Sequence, residues 1–461
     1  RLALLKLVAV MAGVGLGELV QRDAQRRMWQ MGMWALGTVA VLLVVLAAVV
    51  VTMNARENAA RERARTGAMS SYMLDQVRTN LKRYGSLGML ETVNRGVMET
   101  FRGRDLAGLG DEELQQLAKL RLAMGEDAEQ RGDLAGARVQ IAEARRTTAA
   151  RLAAAPKDAQ RIFDHAQSQY YVGLIAWRAG DRDSAEAAFN AYRDLAQRLL
   201  AIDSSNPDWW MEAGYAEANL GMYALRTTLD ISGAEDHFRR ALGDYAKVAR
   251  LRPNDRDAAS AITDAHAWLG DTLRQRGEYN GALASRVTQR RLLEAMRADD
   301  PRDRQFQGDL VANELAIARI AAEQGQWSKA LASLASGREA ASGLARDDPD
   351  NVRRTSQVRI FDLFTLRTWL AMPASARPTP ATMAAMNGDC ANDLNRLKNA
   401  ELAEFCKILE ARRLGTPLPA VAETQTDALS ESWGLDFAKE RAAPSVGSQH
   451  AGTKPYAGRG S

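Results

Sequence analysis

Two kinds of helix-breaking residue recur along the chain at a nearly constant interval, and this regularity constrains the fold more than any other feature. Prolines follow one another at spacings of 51, 46, 48 and 48 residues, at Pro156, Pro207, Pro253, Pro301 and Pro349. Glycines in similar local sequences lie at Gly132, Gly180, Gly277 and Gly325. The pattern predicts repeated units of about 48 residues, each made of a helix, a glycine turn, a second helix and a proline-containing stop.

Each position in the unit has a physical role. A glycine supplies the left-handed conformation that ends the first helix, and proline cannot continue a helix. Five residues after each glycine comes an alanine, small enough to let two helices approach closely: Ala137, Ala185, Ala282 and Ala330. Because apolar residues follow helical spacing and no run alternates as a strand would, an all-α array is predicted. It spans 111–372, with five units and a partial sixth at 358–372.

The second unit resembles the tetratricopeptide repeat. Gly173, Gly180, Ala185 and Phe189 reproduce the spacing of that family's motif, although the family's usual period is about 34 residues. In a later unit Arg286 replaces the aromatic residue. The resemblance implies an α-solenoid of stacked helix pairs with a surface that binds a protein or peptide.

The central unit departs from its neighbours by one residue. Gly221, Ala234 and Phe238 match the motif, but one extra residue precedes the alanine. Trp209 and Trp210 open the first helix of this unit in "SNPDWWMEAGY". They are candidate partner-contact residues, with core packing between units as the alternative interpretation.

A long uncharged segment lies near the N-terminus. No charged residue occurs at 28–55, which exceeds the roughly 20 residues that cross a bilayer. Trp29 and Trp34 stand where an interfacial aromatic belt is expected. A single transmembrane helix, and hence a lipid bilayer as partner, is predicted. A buried core helix and a cleaved signal peptide are the alternatives, and basic residues on both flanks do not decide the orientation.

The two cysteines, Cys390 and Cys406, are 16 residues apart. Antiparallel helices joined near Asn399 would bring them face to face, and a disulfide between them would indicate an oxidising compartment. Two unrelated buried thiols are the alternative. With the disulfide, the repeat array is expected outside the cytoplasm.

The rest of the chain divides by composition. The expected segments are a C-terminal end of a missing cytosolic domain (1–27), the spanning helix (28–55), a juxtamembrane helical stalk or pairing helix (56–110), the array (111–372), a linker (373–380), a helical hairpin with the cysteine pair (381–414) and a disordered tail (415–461).

The N-terminal segment "RLALLKLVAVMAGVGLGELVQRDAQRR", followed by an apolar span and tetratricopeptide-like repeats, resembles bacterial membrane proteins with an N-terminal Toll/interleukin-1 receptor (TIR) domain. Related architectures carry a serine/threonine kinase at that position. The resemblance implies a single-pass protein of the bacterial inner membrane with a periplasmic array. It also implies signalling to a TIR-like domain that hydrolyses NAD or acts by assembly. Neither domain's catalytic residues are in this chain.

Little in the sequence indicates chemistry. Net charge is +4, from 61 basic and 57 acidic residues interspersed, so nucleic-acid binding is not expected. His165, His237, His266 and His450 lack partners at metal-ligand spacing, and neither a cofactor nor a catalytic cluster is predicted.

Three functions remain for the chain. The first is an interaction or sensor module, with homo-oligomerisation as an option. The second is the regulatory half of an enzyme, and the third is a chaperone-like factor for envelope proteins.

Overall fold

The computed structural model describes residues 87–417, apart from 103–107, 301–303, 348, 350–351 and 398–399, together with isolated positions between residues 11 and 72. The described part of the chain is helical with short connections and contains no β-strand. The prediction of an all-α fold is therefore confirmed. The chain divides into two compact units, Arg1–Arg131 and Gly132–Ser461.

The first unit contains a pair of packed helices, α1 (Leu87–Glu99) and α2 (Asp111–Gln130). Its apolar core is formed by Val97, Phe101, Leu109, Leu117 and Leu120. Within this core the amide of Asn94 donates a hydrogen bond of 2.6 Å to the carboxylate of Asp127. Helix α1 lies inside the segment that the sequence predicts as a stalk; the rest of 56–86 lies almost entirely outside the described residues.

The second of the two compact units contains a succession of helices joined by short turns. The helices are α3 (Leu134–Ala154), α4 (Ala159–Arg178), α5 (Arg182–Ile202), α6 (Pro207–Tyr223), α7 (Ile231–Leu251), α8 (Arg256–Gln275), α9 (Tyr279–Asp299), α10 (Arg304–Glu323), α11 (Trp327–Asp347), α12 (Val352–Ala371), α13 (Pro380–Asn387), α14 (Cys390–Leu397) and α15 (Ala400–Leu414). Each helix from α3 to α12 packs against the next along the chain. We call α4, α6, α8, α10 and α12 the first helices, because each of α4, α6, α8 and α10 precedes an intra-unit turn and α12 continues their alternation. The second helices are α3, α5, α7, α9 and α11.

The turn glycines have the backbone conformation that the sequence predicts. Gly132, Gly180, Gly277 and Gly325 have φ values of 80°, 78°, 84° and 70°. The four alanines that follow them are completely buried. Two of these turns also cap the second helix: the Asp133 and Asp181 carboxylates accept a hydrogen bond from a backbone N–H three residues on. The repeated glycine turn is confirmed.

The extra residue of the central unit is absorbed by a local change of helix type. After α6 the chain forms a π-helical segment, Ala224–Thr228, whose wider turn accommodates an added residue. Leu229 then takes the left-handed conformation, with φ of 55°, where the other turns have glycine. The register of α7 is thereby restored, and Ala234 and Phe238 are completely buried.

One predicted proline stop is wrong. Pro207 is the first residue of α6, and the side chain of Asn206 caps this helix. The first turn of a helix tolerates proline because its N–H would have no intrahelical partner there, and its fixed φ suits the helix. Pro156 and Pro253 lie in connections between helices, whereas Pro301 lies outside the described residues.

Close helix packing within a pair depends on glycine residues, which have no side chain. A Cβ atom at Gly173 would lie 2.6 Å from the Phe189 ring, and one at Gly221 would lie 2.8 Å from the Phe238 ring. Only glycine leaves room for an aromatic ring at this distance from the first helix.

The C-terminal segment forms three helices, of which α14 and α15 carry the two cysteines and pack against each other. Helices α13, α14 and α15 pack against α12, with the rings of Phe364 and Phe405 5.5 Å apart. Arg359 of α12 forms a buried ion pair of 2.8 Å with Asp393 and donates to the carbonyl oxygen of Met386. Residues 418–461, which include the predicted disordered tail almost completely, lie outside the described residues.

The membrane prediction requires a correction. Among the described residues, none of the helices combines the length and the hydropathy needed to span a bilayer. The segment 28–55 lies mostly outside the described residues. The longer described helices are interrupted by charged residues, as the helix α8 sequence "RDAASAITDAHAWLGDTLRQ" illustrates. The predicted transmembrane helix, and with it the inner-membrane location with a periplasmic array, is wrong for the described part of the chain.

Candidate functional site

The first helices of successive pairs approach one another. Helix α6 contacts α8, and α8 contacts α10, in addition to the packing within each pair. Side chains on neighbouring first helices therefore meet across helices that are far apart in sequence. This arrangement brings together groups that no short motif would reveal.

A set of charged side chains occupies this surface at α8, α9, α10 and α12. We define the arginine cluster as Arg274, Arg286, Arg319 and Arg367, with the carboxylates of Asp271 and Glu323. Arg274 of α8 donates a hydrogen bond of 2.9 Å to Glu323 of α10, and both side chains are 12% exposed. Arg286 of α9 forms an ion pair of 2.6 Å with Asp271 of α8.

Two further arginines of the cluster lie over one aromatic ring. The guanidinium carbons of Arg319 and Arg367 lie 5.6 and 5.8 Å from the centre of the buried Phe364 ring. A ring face attracts a cation at this distance. Both arginine side chains are half-buried.

Burial and neighbouring charges shift two pKa values in the cluster. Burial, followed by repulsion from Arg274, lowers the pKa of Arg319 to about 9; Arg367 acts in the same direction, while Asp271 and Glu323 act against it. Burial alone would raise the pKa of Asp271, but Arg286 and the neighbouring arginines hold it below its ordinary value. Four guanidinium groups therefore share this region with two carboxylates.

A second polar group links α4, α5 and α6. One carboxylate oxygen of Glu212 accepts hydrogen bonds of 2.6 Å from the Tyr192 hydroxyl and from the Gln167 side-chain amide. Burial raises the pKa of Glu212 to about 7, although these two hydrogen bonds act in the opposite direction. The carboxyl group therefore changes charge near neutral pH while it bridges three helices.

A third polar group connects α6 with α7. Glu217 accepts hydrogen bonds of 2.7 Å from His237 and 2.8 Å from Arg240. Asp244, also on α7, has its pKa raised to about 7 by burial and then by the charge of Glu217. On α8, burial raises the pKa of Asp264 to about 6. The raised pKa values of Asp244 and Asp264 arise because these carboxylates are partly removed from water.

The two predicted partner-contact residues have packing contacts in the structure. The ring of Trp209 lies 5.8 Å from that of Phe163 on α4. Trp210 donates its indole N–H to the carbonyl oxygen of Ser204 at 2.8 Å, and Lys247 lies 5.6 Å from its ring centre. Both tryptophans are half-buried, and a partner contact by either stays a prediction.

The structure joins Cys390 to Cys406 by a disulfide, with their Cα atoms 5.4 Å apart. The bond links α14 to α15, and the guanidinium of Arg359 lies 3.3 Å from the sulfur of Cys406. The two cysteines therefore lie on α14 and α15, whereas the arginine cluster lies on α8, α9, α10 and α12.

His165 and His237 take part in local hydrogen bonds, whereas the Nδ1 atom of His266 is buried without a hydrogen-bond partner. His165 interacts with Thr148 and Gln169, at 3.0 and 3.1 Å, and His237 with Glu217. Within the described ranges, no group of three or more His, Cys, Asp or Glu side chains has an arrangement that could hold a metal ion. His450 lies outside those ranges.

Sequence reasoning missed the arginine cluster, although a signal was present. Arg226 and Arg274 are 48 residues apart, as are Arg319 and Arg367, so arginines recur with the same period as the turn glycines. Arg226 also lies over an aromatic ring, 4.6 Å from the centre of Trp268. The period alone does not tell which arginines meet, because that depends on how neighbouring first helices are packed.

Comparisons with known proteins bear on the fold. No family model matches the chain, and no curated protein matches it. The solved structure of the apo form of RapI is similar over 79% of this chain and 85% of its own, at 11% identity and a TM-score of 0.50. MamA covers 48% of this chain over 97% of its own, at 14% identity and a TM-score of 0.29.

TTC0263, a thermophilic TPR protein of Thermus thermophilus, covers 52% of this chain over 98% of its own, at 18% identity and a TM-score of 0.28. The similarity to RapI shows an all-α fold of repeated helix pairs, which agrees with the turn glycines and buried alanines described above.

Proposed function

We propose that this chain is a scaffold that binds a protein segment on the surface formed by its first helices. The observation that carries the proposal is the approach of α6 to α8 and of α8 to α10. It gives side chains from separate repeats one shared surface. Stacked helix pairs use surfaces of this kind for binding.

The chemistry of this surface favours a protein partner. Aromatic and arginine side chains lie next to each other there, and residues of both types are enriched where proteins contact one another. Tyr215 of α6 is 36% exposed, with its ring 5.8 Å from that of Tyr245. Opposite charges are interspersed in the arginine cluster, whereas a nucleic-acid surface is expected to carry a basic stripe.

Site-specific photo-crosslinking tests the proposal. A photoreactive phenylalanine analogue replaces Tyr215 on the first helix α6 or, as the matched control, Val287 on the second helix α9, which is 43% exposed. We expect one discrete protein to be crosslinked in the native cells at Tyr215 and not at Val287. Equal crosslinking at both positions, or at Val287 alone, would contradict the proposal.

The TIR resemblance adds a finer element to the proposal: binding on the array regulates a TIR-like domain that hydrolyses NAD, or a kinase domain at that position. Residues 1–27, on which the resemblance depends, lie almost entirely outside the described residues. The genomic sequence upstream of Arg1 tests this element. Alternating strands and helices with a buried acidic residue would support it, and a start codon a few residues upstream would refute it.

A further inference from the structure

The two sulfur atoms of the Cys390–Cys406 disulfide have different surroundings. Cys390 is half-buried and lies between two exposed residues, Asp389 and Ala391, whereas Cys406 is completely buried. Both cysteines of the sequence take part in this bond, so a thiol that exchanges with it comes from another molecule. Such a thiol reaches the sulfur of Cys390 more easily than that of Cys406.

A cation lies beside the buried sulfur. The Nη2 atom of Arg359 is 3.3 Å from the Sγ atom of Cys406. This guanidinium is itself buried, and it is held in place by its 2.8 Å ion pair with Asp393 and its 2.8 Å hydrogen bond to the carbonyl oxygen of Met386. An adjacent arginine stabilises a thiolate, although burial acts in the opposite direction. The structure therefore places a fixed positive charge where the Cys406 thiolate would form.

The sulfur of Cys390 has less support of this kind. Free N–H groups at the start of a helix can stabilise a thiolate. Here the side chain of Asp389 accepts hydrogen bonds of 2.9 and 3.3 Å from the backbone N–H groups of Ala391 and Asn392. The carboxylate of Asp389 also adds a negative charge in the residue before Cys390. Of the two sulfurs, Cys406 is therefore the better leaving group.

We propose that the Cys390–Cys406 bond is a thiol-exchange site, which a dithiol reductant opens by attack on Cys390 while the Cys406 thiolate leaves beside Arg359. Arg359 acts as a positioning residue, because it stabilises the leaving sulfur and does not itself react. The inference goes beyond the proposed function and does not depend on it.

The exchange balances in two steps. A thiolate of the dithiol attacks the sulfur of Cys390, a bond forms between these two sulfurs, and the electron pair of the broken disulfide goes to Cys406. The second thiolate of the reductant then attacks the reductant's own first sulfur, which closes a disulfide in the reductant and releases Cys390 as a thiolate. Two electrons pass from the dithiol to the protein, and its two protons end on the cysteine thiols.

Opening the bond changes how α14 is held. The disulfide is a covalent link between side chains of α14 and α15. In the reduced chain α14 keeps the buried ion pair of Asp393 with Arg359 on α12 and the packing of Leu397 in the apolar core of the C-terminal helices. The state of this one bond therefore controls how firmly α14 is attached.

Trapping of the mixed disulfide tests the inference on the unmodified chain. The folded protein is incubated with reduced glutathione without denaturant and quenched in acid, because protonated thiols do not exchange. Mass spectrometry of acid-stable peptides then locates the glutathione. We expect it roughly tenfold more often on Cys390 than on Cys406, since access and leaving group act together. Glutathione equally or mainly on Cys406, or opening of the bond only after urea unfolds the chain, would overturn the inference.

Two single variants separate the charge of Arg359 from its packing. Arg359→Gln and Asp393→Asn break the same buried ion pair, but only the first removes the cation beside Cys406. We expect dithiothreitol to open the bond about tenfold more slowly in Arg359→Gln, because the leaving thiolate loses its cation, and no more slowly in Asp393→Asn. Arg359→Lys keeps the charge and should be intermediate. Equal slowing in Arg359→Gln and Asp393→Asn would refute the assigned role of Arg359.

A double variant controls for folding. Arg359→Gln combined with Asp393→Asn leaves neither charge buried without a partner, so it should remain folded where Arg359→Gln alone does not. Circular dichroism checks the fold of every variant. We expect the double variant to be reduced about tenfold more slowly than the unmodified chain. A folded double variant that is reduced at the unmodified rate would contradict the inference.

Discussion

Replacement of Glu212 by glutamine should make the array more stable above neutral pH. The residue is 8% exposed, and its carboxylate accepts hydrogen bonds from Tyr192 and Gln167. Burial penalises the charged form more than these hydrogen bonds favour it, which is why the pKa rises from 4.5 to about 7. Glutamine has the same shape and keeps an acceptor oxygen without the charge.

The sign follows from proton binding. Between pH 4.5 and about 7 the folded chain keeps a proton on Glu212 that the unfolded chain has lost, so stability falls as pH rises through this window. At 1.36 kcal/mol for each pKa unit, a rise from 4.5 to about 7 corresponds to roughly 3 kcal/mol. This amount is lost above the window, and the Glu212→Gln variant should not lose it.

Urea unfolding at pH 5 and pH 8, followed by circular dichroism, measures the effect. The matched control is Glu294→Gln on α9, where the side chain is exposed. We expect Glu212→Gln to be more stable than the control by roughly 3 kcal/mol at pH 8 relative to pH 5. Identical pH dependence in the two variants would refute a raised pKa at Glu212. Equal destabilisation of Glu212→Gln at both pH values would show that hydrogen bonding, and not desolvation, dominates at this site.

Three further predictions concern the packing of the second unit. Gly173→Leu is expected to cost about 1–3 kcal/mol, because even a Cβ atom there meets the Phe189 ring; a variant with an unchanged thermal midpoint would contradict this close approach. Arg359→Met is expected to cost about 3–5 kcal/mol in urea unfolding, since it leaves a buried carboxylate without its partner, and a loss below about 1 kcal/mol would indicate a solvated pair instead. A dithiol reductant that opens the Cys390–Cys406 bond is expected to lower the unfolding free energy by about 3 kcal/mol, as a loop of 16 residues predicts. Thermal unfolding that is insensitive to the reductant would show that the disulfide does not stabilise the C-terminal helices.

Much of the array could be predicted from the sequence because its boundaries depend on local chemistry. A left-handed turn residue is almost confined to glycine, so Gly180 and Gly277 identify their turns without knowledge of the rest of the fold. The alanine five residues after each glycine can be predicted in the same way, because its small size is required by close packing against one neighbouring helix. The extra residue of the central unit was also visible, although its accommodation in a π-helical segment was not.

Other features depend on contacts between distant residues and could not be predicted. Pro207 starts a helix because Asn206 caps it, and a proline near a helix boundary can end one helix or begin the next. The Arg274–Glu323 pair joins residues 49 positions apart. Its existence follows from the packing of α8 on α10, which the repeat period does not specify.

The uncharged N-terminal segment shows a different limit of prediction from the sequence. Its hydropathy predicted a spanning helix, but the described residues contain none. The helices of the described part owe their stability to amphipathic packing between neighbours, as α8 does with apolar residues on one side and charged residues on the other.

Site-specific photo-crosslinking in the native cells tests most directly whether a partner segment lies on the first helices. Capture of one discrete protein by the photoreactive analogue at Tyr215, and not at Val287 on the second helix α9, is the result that the account predicts. Equal capture at the two positions, or capture at Val287 alone, would contradict it.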